Sequence, residues 1–477
     1  MVITLLSSSP LICIIPHLNL TYEKELPVKK TLAVLVFTLV AACIVTPKII
    51  APTYQEKMAD VVSNINNALG YSAKIVSTNA TWFGAENKVL VSFDTAQIDP
   101  ALQDEKLEAE LVIETHYGPL LFSRNGIFGL YETDIRFVGE TLRNELSWDE
   151  SQPLYQLSVL GGFTGNFKLA DTIPALSNPT NTFTFSGYAG KGEMNDKEFI
   201  YEGGLDQIDV DDVYNPTKVE GLTVSVELST DLETIMKGGF YDSMMDLSLN
   251  KLTLGMGTEL SGITIGLSSA LDRDTQLGSL EIGYFIKEVV FEGFIVSDLA
   301  LVTELDNLSN KFFLDYKNFS DSLLAETNSP DSIYGALFVF MQDNIDELLT
   351  AKPEFNITDF NGTFSEGSFS ASLTSKLADM STPTIDELTI PEFWLYNAIV
   401  AANIEADEAL VRSLAERFIA DKMRAPVTAP EVKQQAQIII DGLIQQGLMK
   451  LVNDKYLSEI TIEEGQGKIY EMAFPLM

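Results

Sequence analysis

A chain of 477 residues is longer than one ordinary core fills, and implies two or more lobes or one elongated sheet. Hydrophobic residues at 46% and charged residues at 21% exclude a disordered chain. The formal charge of −37 excludes a nucleic-acid partner and disfavours anionic surfaces, while keeping a β-rich protein soluble.

In chain order, residues 1–27 are apolar but broken by Pro10 and Pro16, unlike a signal segment, which starts just before its lysines. They read as an extension upstream of the true start, with Val28 as an alternative initiation codon. Lys29 and Lys30 then precede residues 31–46, which carry no charge, and Pro47 and Lys48 follow. Counted to Ala51 with Lys48 snorkelling outward, the stretch is about the length that crosses a bilayer. Residues 28–51 are therefore expected to form a signal anchor and membrane helix. Two lysines before it and acid-rich sequence after it place the body outside the cytoplasm. Two variants stay open: an uncleaved anchor, or lipidation at Cys43, since Val40-Ala41-Ala42-Cys43 resembles a bacterial lipobox.

Tyr54 to Leu69 has Met58, Val61, Val62 and Ile65 at helical spacing, and Gly70 stops it. From there to about Leu305 the period is two. Leu107, Ala109, Leu111 and Ile113 alternate with Glu108, Glu110, Val112 and Glu114, and Leu222 to Ser229 alternates likewise. Similar runs occupy residues 89–93, 163–169, 182–186, 247–254 and 262–267, with one helical turn at 230–236. One dry and one wet face is the mark of antiparallel sheet, and so many strands must curl or split. Helical patterns return at 312–327, 330–350, 391–402 and 405–423, and Thr428-Ala429-Pro430-Glu431 reads as a capping box opening a helix to about Leu451. Hairpins are expected at 355–373 and 456–473. The expected fold is α+β: an N-terminal membrane helix, a large curled antiparallel sheet over 52–310 with a short leading helix, and helices packed on hairpins over 311–477.

The order of several short features resembles the YdgA family, bacterial envelope proteins of unknown biochemical function. The features are Lys29-Lys30, the helix before Gly70-Tyr71, Trp82-Phe83, and His116 with Gly118-Pro119. Leu348-Leu349 with Lys352-Pro353, Phe355 and Ile357 come next, and Leu457, Ile460, Ile462, Gly465, Gly467 and Ile469 close the series. The resemblance runs from about Lys29 to the end. It departs at Tyr117, which separates the histidine from Gly-Pro. It implies an inner-membrane-attached periplasmic protein, single-pass and able to self-associate, and it brings no catalytic residue.

Chemistry-bearing residues are scarce. The only cysteines are Cys13 and Cys43, and the only histidines are His17 and His116. A body without cysteine suits an oxidising compartment, and one histidine cannot build a nitrogen- or sulfur-ligated metal centre. A serine triad would have to use His116 as its base; at a strand end before a turn it reads as structural. Gly187, Gly190 and Gly192 lie among strands with no helix to cradle phosphate, so they read as strand bends. Asp206, Asp209, Asp211 and Asp212 lack the spacing of a calcium loop and read as a solvated acidic loop. No catalytic, metal or cofactor residue is expected. Carboxylate pairs for hydrolysis are uninformative among 68 acids. The expected role is non-enzymatic contact with envelope proteins or self-association; the alternative is a lipid or apolar-ligand carrier using a sheet groove. A continuous open apolar face favours the carrier, and a flat patch over a filled core favours protein contact.

Overall fold

The computed structural model describes residues 46–475, apart from positions 49, 53–54, 57, 64, 67–69, 96–105, 292–293, 327–329 and 471. It divides into two compact units. The first comprises residues up to Asp206 with Glu227–Lys237 and Ser320–Asn328; the second comprises Gln207–Val226, Gly238–Phe319 and Ser329–Met477.

In the first unit the leading helical segment buries Met58, Val61 and Ile65 beneath Ala73, Val89 and Ile113, as its spacing predicts. Gly70, at φ 80°, turns the chain out of it. Asn66 then pins the first strand, accepting from Ala73 N at 2.7 Å and donating to Ala73 O at 3.0 Å.

The strands here are β1 (Tyr71–Ala80), β2 (Gly84–Asp94), β3 (Lys106–Tyr117), β4 (Leu120–Ser123), β5 (Gly126–Phe128), β6 (Tyr131–Phe137), β7 (Tyr155–Gly161) and β8 (Phe167–Ile173). The short β9 (Leu176–Ser177) and β10 (Phe183–Phe185) lead to β11 (Tyr188–Met194) and β12 (Phe199–Val210). Antiparallel pairing runs β1–β2–β3–β6–β7–β8–β11–β12. Paired residues share a face. Leu157, Val159, Phe167 and Met194 form a core on one face, with Leu232 and Ile235 of α1 (Leu232–Lys237) packed on it. The opposite face carries His116, Glu132, Asp134, Gln156 and Thr172.

β13 is Thr217–Leu228. The second unit continues with β14 (Ser243–Leu254), β15 (Thr258–Asp272), β16 (Leu277–Phe291), β17 (Phe294–Ser309), β18 (Glu354–Phe364), β19 (Gly367–Leu377), β20 (Ala398–Asp407), β21 (Lys450–Val452), β22 (Lys455–Glu463), β23 (Gln466–Ile469) and β24 (Met472–Pro475). Pairing is again antiparallel, β14–β15–β16–β17–β18–β19–β20–β22–β23–β24. The helices are α2 (Asn310–Glu326), α3 (Pro330–Thr350), α4 (Ile385–Leu388), α5 (Pro391–Asn397), α6 (Glu408–Met423) and α7 (Pro430–Gln445). Between α6 and α7, Ile419, Ala420, Val432 and Ala436 form a core of small and branched side chains.

The α+β expectation with a membrane helix is corrected. Strands hold 52% and helices 26%, so the protein is mostly antiparallel sheet, with its long helices in the C-terminal part. No helix among the described residues is long and apolar enough to cross a membrane. Most of the expected 28–51 segment lies outside the described residues. Residues 398–402, read as helix, open β20, because an Ala-rich run fits either period and strand partners on both sides decide it. The capping box at Thr428 does not form. Pro430, lacking an N–H, occupies the first helical position, so Ala429 becomes the cap with no side-chain bond. A capping box does form at Thr384 and Glu387, ahead of α4.

Candidate ligand-binding face

The second unit's sheet has one aliphatic face. Its central row reads Leu247–Ile265–Tyr284–Leu301–Phe360–Ala371–Ile404 across β14 to β20. The next row reads Met245–Leu267–Ile282–Thr303–Ile357–Leu373–Ala402–Ile460, ending on β22. Leu280–Leu305–Phe355 and Leu249–Ile263–Ile286 flank them. The reverse face is acidic, with Asp246, Glu281, Glu304 and Asp359. Burial pushes the Glu304 carboxyl up, and Asp306 and Glu281 reinforce the shift.

An antiparallel sheet ordinarily packs its apolar face against a second layer. Here no side chain in these two rows is buried, and Tyr284 is 43% and Ile404 44% exposed. Among the described residues, packing over the face is seen at its ends. At one end Tyr456, on this face beside Ala406, is buried with Leu410 of α6. At the other end Phe240 lies on the backbone of Gly278, where an added Cβ would meet its ring at 2.2 Å, and it packs edge-on to Phe313 of α2 at 5.0 Å. With same-face rows ~6.8 Å apart and strands ~4.8 Å apart, the two long rows and their short flanks cover a footprint on the order of 700 Å².

The residues singled out from sequence fall elsewhere. His116 stands at the end of β3, opposite Gly84 and Glu132, with Nε2 3.2 Å from Glu114 Oε1. It lines a cleft of about 590 Å³ with Glu132, Asp134, Ser123, Arg124 and Ser158. Glu132 is 8% exposed, and burial pushes its carboxyl up against the lowering effect of the Ser123 hydroxyl. A neighbouring cleft of about 730 Å³ shares Arg124 and Gln156 with the first. Asp206 and Asp209 lie within β12 rather than in the acidic loop expected for them, because the strand's pairing carries on past them; Asp211 and Asp212 follow it, and Asp212 Oδ1 accepts from Tyr214 N at 2.7 Å. No group of three potential ligands gathers among the described residues.

Gly187 bends the chain, at φ 98°. Gly190 and Gly203 instead make room: a Cβ at Gly190 would lie 2.1 Å from Tyr201 Oη, and one at Gly203 2.0 Å from Tyr188 Oη. The space holds a tyrosine–carboxylate network that the sequence reading did not find. Tyr201 donates to Asp171 Oδ1 at 2.9 Å, Tyr188 and Tyr201 share a short hydrogen bond, and Tyr155 bonds the same carboxylate. Burial raises Asp171, and burial beside Asp171 pushes Tyr155 up to about 12. The signal in the sequence is a tyrosine two residues before a glycine on each of β11 and β12, Tyr188–Gly190 and Tyr201–Gly203, with the two glycines opposite each other once the strands are paired.

Comparison with known proteins gives one match: the model of a family described as a bacterial protein of unknown function (DUF945) covers residues 28–476. No curated protein and no solved structure matches the chain.

Proposed function

We propose, from the premise that this chain belongs to the DUF945 family and takes no assigned chemistry from it, that it is a non-catalytic lipid-binding protein of the bacterial envelope. The observation that carries this reading is the eight-strand aliphatic face, open in its middle and roofed at both ends. Its rows contain no charge, and the seven-strand central row, about 29 Å long at ~4.8 Å between strands, suits an extended acyl chain. The charge distribution supports an extracytoplasmic place: Lys29 and Lys30, an uncharged run to Thr46, then an acid-rich body. The YdgA-like order of motifs is in keeping with it.

The test is mass spectrometry of lipids that co-purify with the full chain after detergent extraction. A stoichiometric lipid is expected, and the pair Ile265→Glu and Leu301→Glu, each in the central row, should reduce it at least tenfold while the circular dichroism stays unchanged. Equal lipid in the double variant would defeat the reading. A second reading, contact with another protein or a second copy, draws on Leu414 and Phe418, one turn apart on α6 and 45% and 58% exposed. Recovery of a protein in place of lipid would favour it.

A further inference from the structure

Four connections lie at one end of the first unit's sheet. The register row Gly84–His116–Glu132–Leu160–Lys168–Glu193 places the β1–β2 turn (81–83), the β3–β6 connection (118–130), the β7–β8 turn (162–166) and the β11–β12 turn (195–198) together. The last carries Asp196 and Glu198, whereas the first three, 21 residues in all, contain Arg124 and no acid, in a chain where one residue in seven is acidic. They expose Trp82, Phe83, Phe122, Ile127, Phe128 and Phe163, each at least 49% accessible, with Phe122 at 85%. Three adjacent connections rich in exposed aromatic rings and free of acid are a sharp break in composition on so acidic a molecule.

The hairpin that carries half of these side chains is held firmly. Gly118 N donates to Leu130 O and Leu130 N to Gly161 O, both at 2.7 Å. Asn125 Nδ2 reaches Ser158 O at 3.2 Å, and Leu121 is buried. The outward rings are therefore presented by a fixed support. Lys48, which in sequence follows the uncharged run of residues 31–46, also belongs to this place, its ammonium 4.9 Å from the Trp82 ring centroid.

We propose that this loop end of the first unit rests in the headgroup region of a lipid bilayer. Aromatic side chains favour that layer because their rings are apolar while a tryptophan N–H keeps a polar partner. The absence of acid from these three connections lessens the repulsion that the rest of the molecule would meet, and the acid-bearing β11–β12 turn marks the edge of the surface. A zwitterionic surface is the fitting partner, because a net charge of −37 opposes an anionic one. This surface shares no residue with the rows of the second unit and does not depend on what they hold.

The experiment uses the full chain reconstituted into phosphatidylcholine bilayers, with and without bromine on the acyl chains. Bromine quenches tryptophan only at close approach, and the chain has three tryptophans: Trp82, Trp148 and Trp394. The expected result is quenching that Trp82→Phe abolishes and Trp394→Phe leaves intact; Phe122→Ser with Phe128→Ser should reduce it at least twofold. Quenching that persists in Trp82→Phe overturns the proposal, and so does its absence in the wild type. Concentration-dependent shielding of Trp82 from iodide in lipid-free detergent also overturns it, by assigning the surface to a second copy. Lipid seated on the second unit would leave the Trp82 comparison unchanged, so failure here and failure of the lipid-binding reading are separable.

Discussion

Three carboxyls give the stability of this protein a pH dependence of mixed sign. Burial raises Asp171 and Glu132, so folding favours their protonated forms. Their contribution is fully present below the unfolded value of about 4 and is lost as pH rises through the raised folded values. Glu366 runs the other way. The Ser365 hydroxyl first, then Ser413 and Arg417, hold its carboxyl down at about 2. Its contribution is present above its unfolded value of 4.5 and is lost as pH falls toward about 2. Denaturant midpoints should show Glu132→Gln flattening the loss above pH 4. Glu366→Gln should cost about 1 kcal/mol at pH 7 and progressively less in acid, a figure kept low because solvent screens a partly exposed pair. Parallel pH profiles for the wild type and both variants would contradict the assignment.

The β4–β5 hairpin closes on glycine. A Cβ at Gly118 would lie 1.7 Å from Gly129 O, a backbone atom that cannot step aside. Gly118→Ala should therefore cost roughly 3 kcal/mol and speed amide exchange over residues 120–128 before the rest of the sheet. Wild-type exchange there would show that the hairpin base adapts. At this same scale the sequence was readable wherever one face is wet and the other dry. The alternation of Leu107 to Glu114 lies inside β3, and the helical spacing at 312–327 and 330–350 falls on α2 and α3. β1 escaped because nearly all of Tyr71–Ala80 is accessible, so its residues carry no period. β16 and β17 escaped because their reverse face mixes Phe285, Ala300 and Val302 with Glu281 and Glu304, which blurs the alternation. The ligand-binding face was legible only in fragments. Leu247, Ile265, Tyr284, Leu301 and Phe360 come from five strands, and no single strand tells that they align or that no layer covers them.

For the whole molecule, the proposed place outside the cytoplasm makes one plain demand. A reporter fused after Leu69 that requires export for activity should be active, and activity confined to a cytoplasmic reporter would refute the location. The proposed absence of an active site rests on scarcity, since a carboxylate such as Glu132 would have to do neutral-pH proton transfer with His116 as the one histidine near it. The open aliphatic rows have a thermal consequence as well. Unfolding raises heat capacity because it wets apolar surface, ordinarily by about 12–15 cal/mol/K per residue. Rows already partly wet in the folded protein add less to that increment than covered rows would. The unoccupied protein should accordingly have a small heat-capacity increment for its size, and its stability should vary little between cold and warm. Once an acyl chain lies along the rows that surface becomes dry, the increment rises, and the association itself carries a negative heat-capacity change. Filling the face thus converts a broad, shallow temperature range of stability into a deeper and more sharply curved one.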